Sequence, residues 1–266
     1  MYDRIPKVIY QTWKTKNLSE IKDNDHIKSI QSIKKYNENY KHIIYDDNDC
    51  HEFIKNNYPE YYESYVKLKL PVQKADLWRY LIIYKYGGFY MDMDCICVKK
   101  LDDFQIPSEY NAVNNLLIIE EELIRDDKFD KIECYSQYAQ YWFGATPYHP
   151  IILSCILKVI SNIQENKKFN YTIDNQTIFL TGPVPWSKAI HEYPNKSEIY
   201  INKRSSLDYL FIQVLNVTGN HPIIHLCKGT WRQEKDDYTI VIIVLIIIII
   251  LIVFITILWI IKSYTS

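Results

Sequence analysis

Glycine is scarce, six residues in 266. Phosphate-cradling loops need several glycines at fixed offsets. Neither Gly-x-Gly-x-x-Gly nor Gly-x-x-x-x-Gly-Lys-Ser/Thr occurs, so most such loops are excluded. An excess of one charge is also missing, with 31 Lys plus Arg against 32 Asp plus Glu. Nucleic-acid binding is driven by surplus positive charge, and nothing in the composition supports it. Cys50, Cys95, Cys97, Cys134, Cys155 and Cys227 form no Cys-x-x-Cys pair and no zinc-like spacing. Most are expected to be reduced core thiols. Met1 to Lys7 lack the apolar stretch of a secretory signal, and no repeat or Gly/Ser linker divides the chain.

Apolar and aromatic residues are plentiful, 48% hydrophobic with 24 Tyr, 9 Phe and 6 Trp, so a sizeable core is expected and disorder is not. They are concentrated at Thr239 to Ile261, where Thr239 and Thr256 are the polar members. As a helix this run would reach about 34 Å, enough to cross a hydrocarbon core of about 30 Å. Trp259 sits near its end, as an interfacial anchor would. The expected organisation is an α/β domain over residues 1–235, a transmembrane helix over 239–261 and a short tail over 262–266. Lys228, Arg232 and Lys235 precede the span and Lys262 follows it, which favours the cytosol for the large part. Sequons beginning at Asn17, Asn170, Asn175, Asn195 and Asn216 would instead suit a lumenal domain, so the membrane face stays open.

Upstream of the span, Val8 to Trp13 reads as a first strand, Ser19 to Asn39 as helical, and Tyr40 to Tyr45 as a second strand ending in the acidic turn Asp46 to Asp49. Further strands are expected near Asn111 to Ile119, Tyr138 to Ala145 and Ile223 to Leu226. Strands alternating with helical stretches predict a mostly parallel sheet flanked by helices.

The informative segment is Leu70 to Val98. Pro71 suits a first helical turn and Gly87 a C-terminal cap. Between them Ala75, Trp78, Ile82 and Tyr86 follow the spacing of a buried stripe, and Asp76 and Arg79 share another face. That pair suits a ligand contact and equally an ordinary surface ion pair. After Gly88 the period becomes two: Phe89, Met91, Met93 and Cys95 point one way along a strand, and Tyr90, Asp92 and Asp94 the other. Two neighbouring carboxylates are costly to bury without a cation, and a hard divalent ion, Mn²⁺ or Mg²⁺, is the economical partner.

These strings resemble glycosyltransferase family 32, the DXD-containing sugar transferases that include yeast α-mannosyltransferases and mannosylinositol phosphorylceramide synthases. The resemblance is carried by Lys74-Ala-Asp76-Leu-Trp-Arg79-Tyr80, Tyr84-Lys-Tyr-Gly87-Gly88 and Tyr90-Met-Asp92-Met-Asp94. It extends to Ile5 to Trp13, to Tyr45-Asp46-Asp47, to His149-Pro150 and Thr181-Gly182-Pro183, and to His225 with Thr230-Trp231. One departure is Gln140, where the family carries Asn. The resemblance implies a GT-A fold, a nucleotide-sugar donor, a divalent metal and retention of anomeric configuration. It assigns Asp92 and Asp94 as the catalytic pair, and Asp92, Asp94 and His225 as metal ligands. Trp13, Asp76, Arg79, Gly88, Asp92, Thr230 and Trp231 become donor contacts. GDP-mannose is the implied donor, ahead of UDP-sugars, and a membrane glycolipid of inositol phosphoceramide type or a glycoprotein glycan the implied acceptor. An endomembrane location in the Golgi or endoplasmic reticulum follows from the same likeness.

Two other classes fit parts of the sequence. Haloacid-dehalogenase-like phosphatases also use Asp-x-Asp, but need Thr or Val where Ile96 stands. A membrane-anchored protein that binds nucleotide or glycan without turnover is the other, disfavoured because both acidic residues and Asp76/Arg79 are intact.

Overall fold

Alternating apolar residues after Pro6 open the chain as a strand, β1 (Val8–Thr12). The computed structural model describes residues 5–103, 107, 116–122, 137–167, 173–203 and 222–229, all within the unit Met1–Trp231. Asp23 caps α1 (Asn24–Tyr36), its carboxylate accepting from the Asp25 N–H at 2.9 Å. After β2 (Lys41–Tyr45) the expected acidic turn is in fact a helix start. Asp46 and Asp49 each accept the other's backbone N–H and so begin α2 (Asp47–Asn57). α3 (Pro59–Lys67) and α4 (Pro71–Tyr86) both carry proline in the first turn, where its missing N–H costs nothing. There follow β3 (Gly88–Met91), β4 (Cys95–Cys97), β5 (Leu117–Glu122), β6 (Gln137–Tyr138) and β7 (Trp142–Ala145). The remaining elements are α5 (Pro150–Gln164), α6 (Ile173–Leu180), α7 (Pro183–Glu192), β8 (Ile199–Lys203) and β9 (Ile223–His225).

The main sheet is mixed and runs β2-β1-β3-β7-β5-β6, with β8 beside β5. β1 pairs in parallel with β2 and β3, and β5 with β8, as alternating strands and helices predict. β7 runs antiparallel to β3 and β5, and β6 antiparallel to β5. Both faces are covered, and the period-two pattern sorts residues between them. Tyr10, Tyr90 and Phe143 join the core beneath α4, α5 and α7, whereas Ile9, Phe89 and Trp142 join a second cluster on the other side. The strand expected over 138–145 breaks at residues 139–141 into β6 and β7. Cys50, Cys95, Cys97 and Cys155 are buried free thiols, as expected, and Cys227 is an exposed one.

Two expectations are corrected. α4 has no single buried stripe: Tyr86 is 42% exposed, while every residue from Asp76 to Ile83 is buried. The helix is enclosed by the sheet, α2, α5 and α6, so its polar face is inside too. The second concerns Phe89 to Cys95, which is not one strand. β3 stops at Met91, the Cys95 N–H turns back onto the Asp92 carbonyl at 3.0 Å, and β4 pairs with β9 in a separate two-stranded sheet. Asp92 and Asp94 therefore lie on a turn between two sheets, both part-buried. The membrane span expected at 239–261 and the tail at 262–266 lie outside the described residues. Among the described residues no helix is long and apolar enough to cross a membrane.

The helix-to-strand reversal before β3 depends on Gly87 (φ 64°) and Gly88 (φ 97°). A Cβ on Gly88 would sit 2.7 Å from the Val8 carbonyl oxygen, and one on Gly87 2.7 Å from Pro147 Cδ. Gly88→Ala is expected to cost at least about 2 kcal/mol, since it adds a backbone clash to a conformation that L-residues avoid. A urea unfolding midpoint equal to that of the parent protein would contradict this.

His149 caps α5, its Nδ1 accepting the Ile151 N–H at 3.3 Å, and is wholly buried. That burial holds its pKa down to about 4. The unfolded chain, with an ordinary imidazole near 6.5, thus binds the proton more readily than the fold does. This contribution to stability is complete above pH 6.5 and fades as pH falls toward about 4. Between pH 7 and pH 5 the loss should be about 2 kcal/mol. His149→Asn keeps a capping acceptor and should flatten the dependence of the denaturation midpoint over that range.

Candidate active site

β3 delivers Asp92 to the carboxyl edge of the sheet, and the β4–β9 ladder delivers its partner. Cys95 stands opposite His225 in that ladder, which places the His225 Nε2 3.4 Å from Asp94 Oδ1. One ligand-type atom each from Asp92, Asp94 and His225 falls within 4.8 Å of the other two. The His225 ring is stacked on Tyr141, centroids 3.9 Å apart. Burial opposes charge on His225, but its hydrogen bonds to Asp94 and Cys227 and the Asp94 charge push its pKa up to about 10. Burial acts to raise the Asp94 pKa and is outweighed by His225 and the Lys228 N–H, so the carboxyl stays below its ordinary range.

Asp76 and Arg79 lie beneath this triad and are no surface pair: they are 3% and 5% exposed. Arg79 reaches Asp76 Oδ1 at 3.1 Å and Asp92 Oδ1 at 3.3 Å, donates to the Gln140 carbonyl at 3.0 Å, and stacks over Tyr90 with its Cζ 4.5 Å from the ring centre. One fork-shaped cation therefore bridges two carboxylates from different elements, a geometry lysine lacks. Asp76 also accepts from Thr181 Oγ1 at 2.8 Å and Gln140 Nε2 at 3.1 Å. Burial still pushes its pKa up to about 6 against those partners. The Asp92 pKa is raised as well, by burial first and by Asp94, with Arg79 opposing. Its backbone is pinned on both sides: the Asp92 N–H donates to the Tyr141 carbonyl at 2.7 Å, and Gln11 Nε2 donates to the Asp92 carbonyl at 3.1 Å. The Tyr90 hydroxyl closes the set by donating to Asp92 Oδ1.

The structure brings together Asp76, Arg79, Asp92, Asp94 and His225. Trp13 lies one residue past β1, half-buried, its ring edge-on to His26 at 4.2 Å and packed against the small cluster around Met93. Gly88 is not brought to the site. It begins β3 at the opposite end from Asp92, about 13 Å away along the strand, and serves the backbone reversal. Thr230 and Trp231 lie outside the described residues. Sequence reasoning missed Tyr141, Gln11, Thr181 and Lys228, which reach the site from elements distant in the chain. Tyr90 was legible, because the period of two puts it on the face of Asp92.

The donor set is two carboxylates and one imidazole, each offering one atom within 4.8 Å of the other two. It fits a divalent cation such as Mn²⁺, with carboxylate oxygens providing the hard ligands.

Residues 23–113 match the family described as the glycosyltransferase sugar-binding region containing DXD motif. The matched stretch runs from the cap of α1 past Asp94, leaving β1 and His225 outside it. The chain is 29% identical over 222 residues to a mannosyl phosphorylinositol ceramide synthase of Saccharomyces cerevisiae, covering 82% of this chain and 55% of that protein. It is 30% identical over 214 residues to an inositol phosphoceramide mannosyltransferase of Schizosaccharomyces pombe, covering 78% and 54%. The chain thus spans about half the length of these relatives. Among solved structures the PaToxG glycosyltransferase aligns with a TM-score of 0.49 at 22% identity, over 71% of this chain and 69% of that one. The likeness to DXD sugar transferases read from the strings around Asp76 and Asp92 is borne out by the family match and by these yeast relatives.

Proposed function

We propose that this chain is a metal-dependent, retaining glycosyltransferase of GT-A type. In this reading it moves mannose from GDP-mannose to a membrane glycolipid of the inositol phosphoceramide class. The observation that carries the reading is the convergence of Asp92, Asp94 and His225 within 4.8 Å, directly above the buried Asp76–Arg79 pair. A divalent cation held there would supply positive charge to diphosphate oxygens as the bond to the sugar breaks. Asp94 and His225 would hold that ion, with Asp92 offering a third ligand while it contacts Arg79. Asp76, buried and held by Thr181 and Gln140, fixes the Arg79 guanidinium beneath Asp92. A cleft of about 150 Å³ lined by Thr12, Cys50, His51, Tyr65, Pro71 and Ala75 opens at the carboxyl end of β1 and the start of α4. Open α/β sheets receive ligands at that edge, which supports placing the nucleoside there. Front-face transfer needs no protein nucleophile, and none is assigned.

The names of the two yeast relatives support the sugar and the lipid class, and the apolar run at 239–261 supports an acceptor in the bilayer of an endomembrane. The test is donor hydrolysis and transfer with GDP-mannose, UDP-galactose and UDP-N-acetylglucosamine, each with and without Mn²⁺. Mn²⁺-dependent turnover of GDP-mannose is expected, enhanced by inositol phosphoceramide in vesicles. Binding without turnover would favour the non-catalytic reading, and phosphate release from simple phosphomonoesters the phosphatase one. A cytosolic catalytic domain is part of the proposal. Exposed Asn195, within a sequon, should then carry no glycan in a eukaryotic host, and a mobility shift on glycosidase treatment would reverse that assignment.

A further inference from the structure

Lys228 lies three residues beyond His225, and its ammonium takes no part in the chemistry above, yet both its side chain and its backbone are tied. Its ammonium donates to Asp23 Oδ1 and Oδ2, both at 2.7 Å, and to Asp25 Oδ2 at 2.9 Å. Its backbone N–H donates to Asp94 Oδ2 at 3.0 Å, and the Leu226 N–H donates to the Asp94 carbonyl at 3.0 Å. Between these two anchors Cys227 is forced to φ 52°, a conformation costly for a residue with a side chain. Asp23 and Asp25 belong to the start of α1, where carboxylates already complement the helix dipole and a lysine opposes it. Helix stability therefore does not account for the lysine. Its effect is to draw residues 226–229 across Asp94.

We infer that Lys228 is a positioning residue for the metal site: its docking between Asp23 and Asp25 holds its own backbone N–H on one Asp94 oxygen, leaving the other oxygen facing His225. This rests on the metal-site reading above. An Asp94 free to rotate could turn either oxygen, or both, toward the ion. Fixed by the strap, it offers Oδ1 on the side where His225 Nε2 lies 3.4 Å away. Outer contacts that orient metal ligands are typically worth roughly 10–100-fold in metal affinity.

The test is Mn²⁺ binding to the full chain in detergent, followed by the loss of the free-ion electron paramagnetic resonance signal, with thermal unfolding of each variant as a control. Lys228→Ala is expected to weaken Mn²⁺ roughly tenfold. The Asp23→Asn/Asp25→Asn pair should weaken it similarly, and all three changes together should be no worse than either set. Lys228→Arg, which can still reach both carboxylates, should restore most of the affinity. Lys158→Ala, which removes the ion pair with Glu192 on α5 and α7, should leave Mn²⁺ binding unchanged. Unaltered Mn²⁺ affinity in Lys228→Ala, with the parent protein binding normally, overturns the positioning role alone. A parent protein that binds no Mn²⁺ overturns the metal site and the role together. A direct contact between Lys228 and the diphosphate would show as weaker GDP binding in Lys228→Ala with unchanged Mn²⁺ affinity. Tighter GDP binding in the aspartate pair, where the lysine is released, would indicate the same, and either result overturns the inference.

Discussion

Asp94→Asn is expected to reduce Mn²⁺-dependent donor hydrolysis by roughly three orders of magnitude while leaving the fold in place. The side chain keeps its volume and one carbonyl oxygen, which can still accept the Lys228 N–H that now reaches Asp94 Oδ2 at 3.0 Å. What it loses is the charge that pairs with His225 and would pair with a cation. The unfolding free energy should fall by about 1–3 kcal/mol, because the charge-assisted contact with His225 is weakened while the volume is kept. Turnover near that of the parent protein would show that Asp94 is not a metal ligand. Loss of turnover together with unfolding would show a structural role instead. Met93, buried in its own small cluster with Ile21 and Ile30, separates the two cases: Met93→Leu conserves volume and should leave hydrolysis nearly unchanged.

Arg79→Met should be the most destabilising single change, by about 3–5 kcal/mol, and should abolish turnover. The guanidinium lies 3.1 Å from Asp76 and 3.3 Å from Asp92, almost entirely out of water. Methionine fills much of the same space, so the loss is electrostatic: two carboxylates remain close together with no cation between them. Arg79→Lys returns the charge but reaches only one partner at a time, so it should recover part of the stability and little of the activity. Chemical denaturation and donor hydrolysis measured on both variants check this. A fully active Arg79→Lys would mean that the fork geometry is dispensable.

Much of the architecture was legible in the sequence because it depends on short-range chemistry. Pro71 and Gly87 bracket α4 since one lacks an N–H and the other accepts φ 64°. The alternation at Phe89, Tyr90 and Met91 sorts those residues onto opposite faces of β3 because successive side chains on any strand diverge. The spacing of Asp76 and Arg79 places them one turn apart on any helix, so their contact needed no tertiary information. Whether that pair was surface or interior did need it. The segment around α4 looks amphipathic by spacing, yet neighbours on all sides bury both charges, and a local pattern carries no record of how many neighbours will arrive.

The chain by itself determined that two carboxylates would stand at the end of β3, next to an Asp–Arg pair one helix turn apart. Only the tertiary structure decided that the strand ends at Met91 and turns at Asp92, and that β9 returns 131 residues after Asp92 to set His225 against Asp94. It likewise decided that the break between β6 and β7 presents the Gln140 and Tyr141 carbonyls to Arg79 and to the Asp92 N–H. Such contacts join segments whose sequence separation is unconstrained by either segment's own periodicity. They form because packing the sheet between two apolar clusters leaves one register for each strand, and the site is what that register brings together at the carboxyl edge.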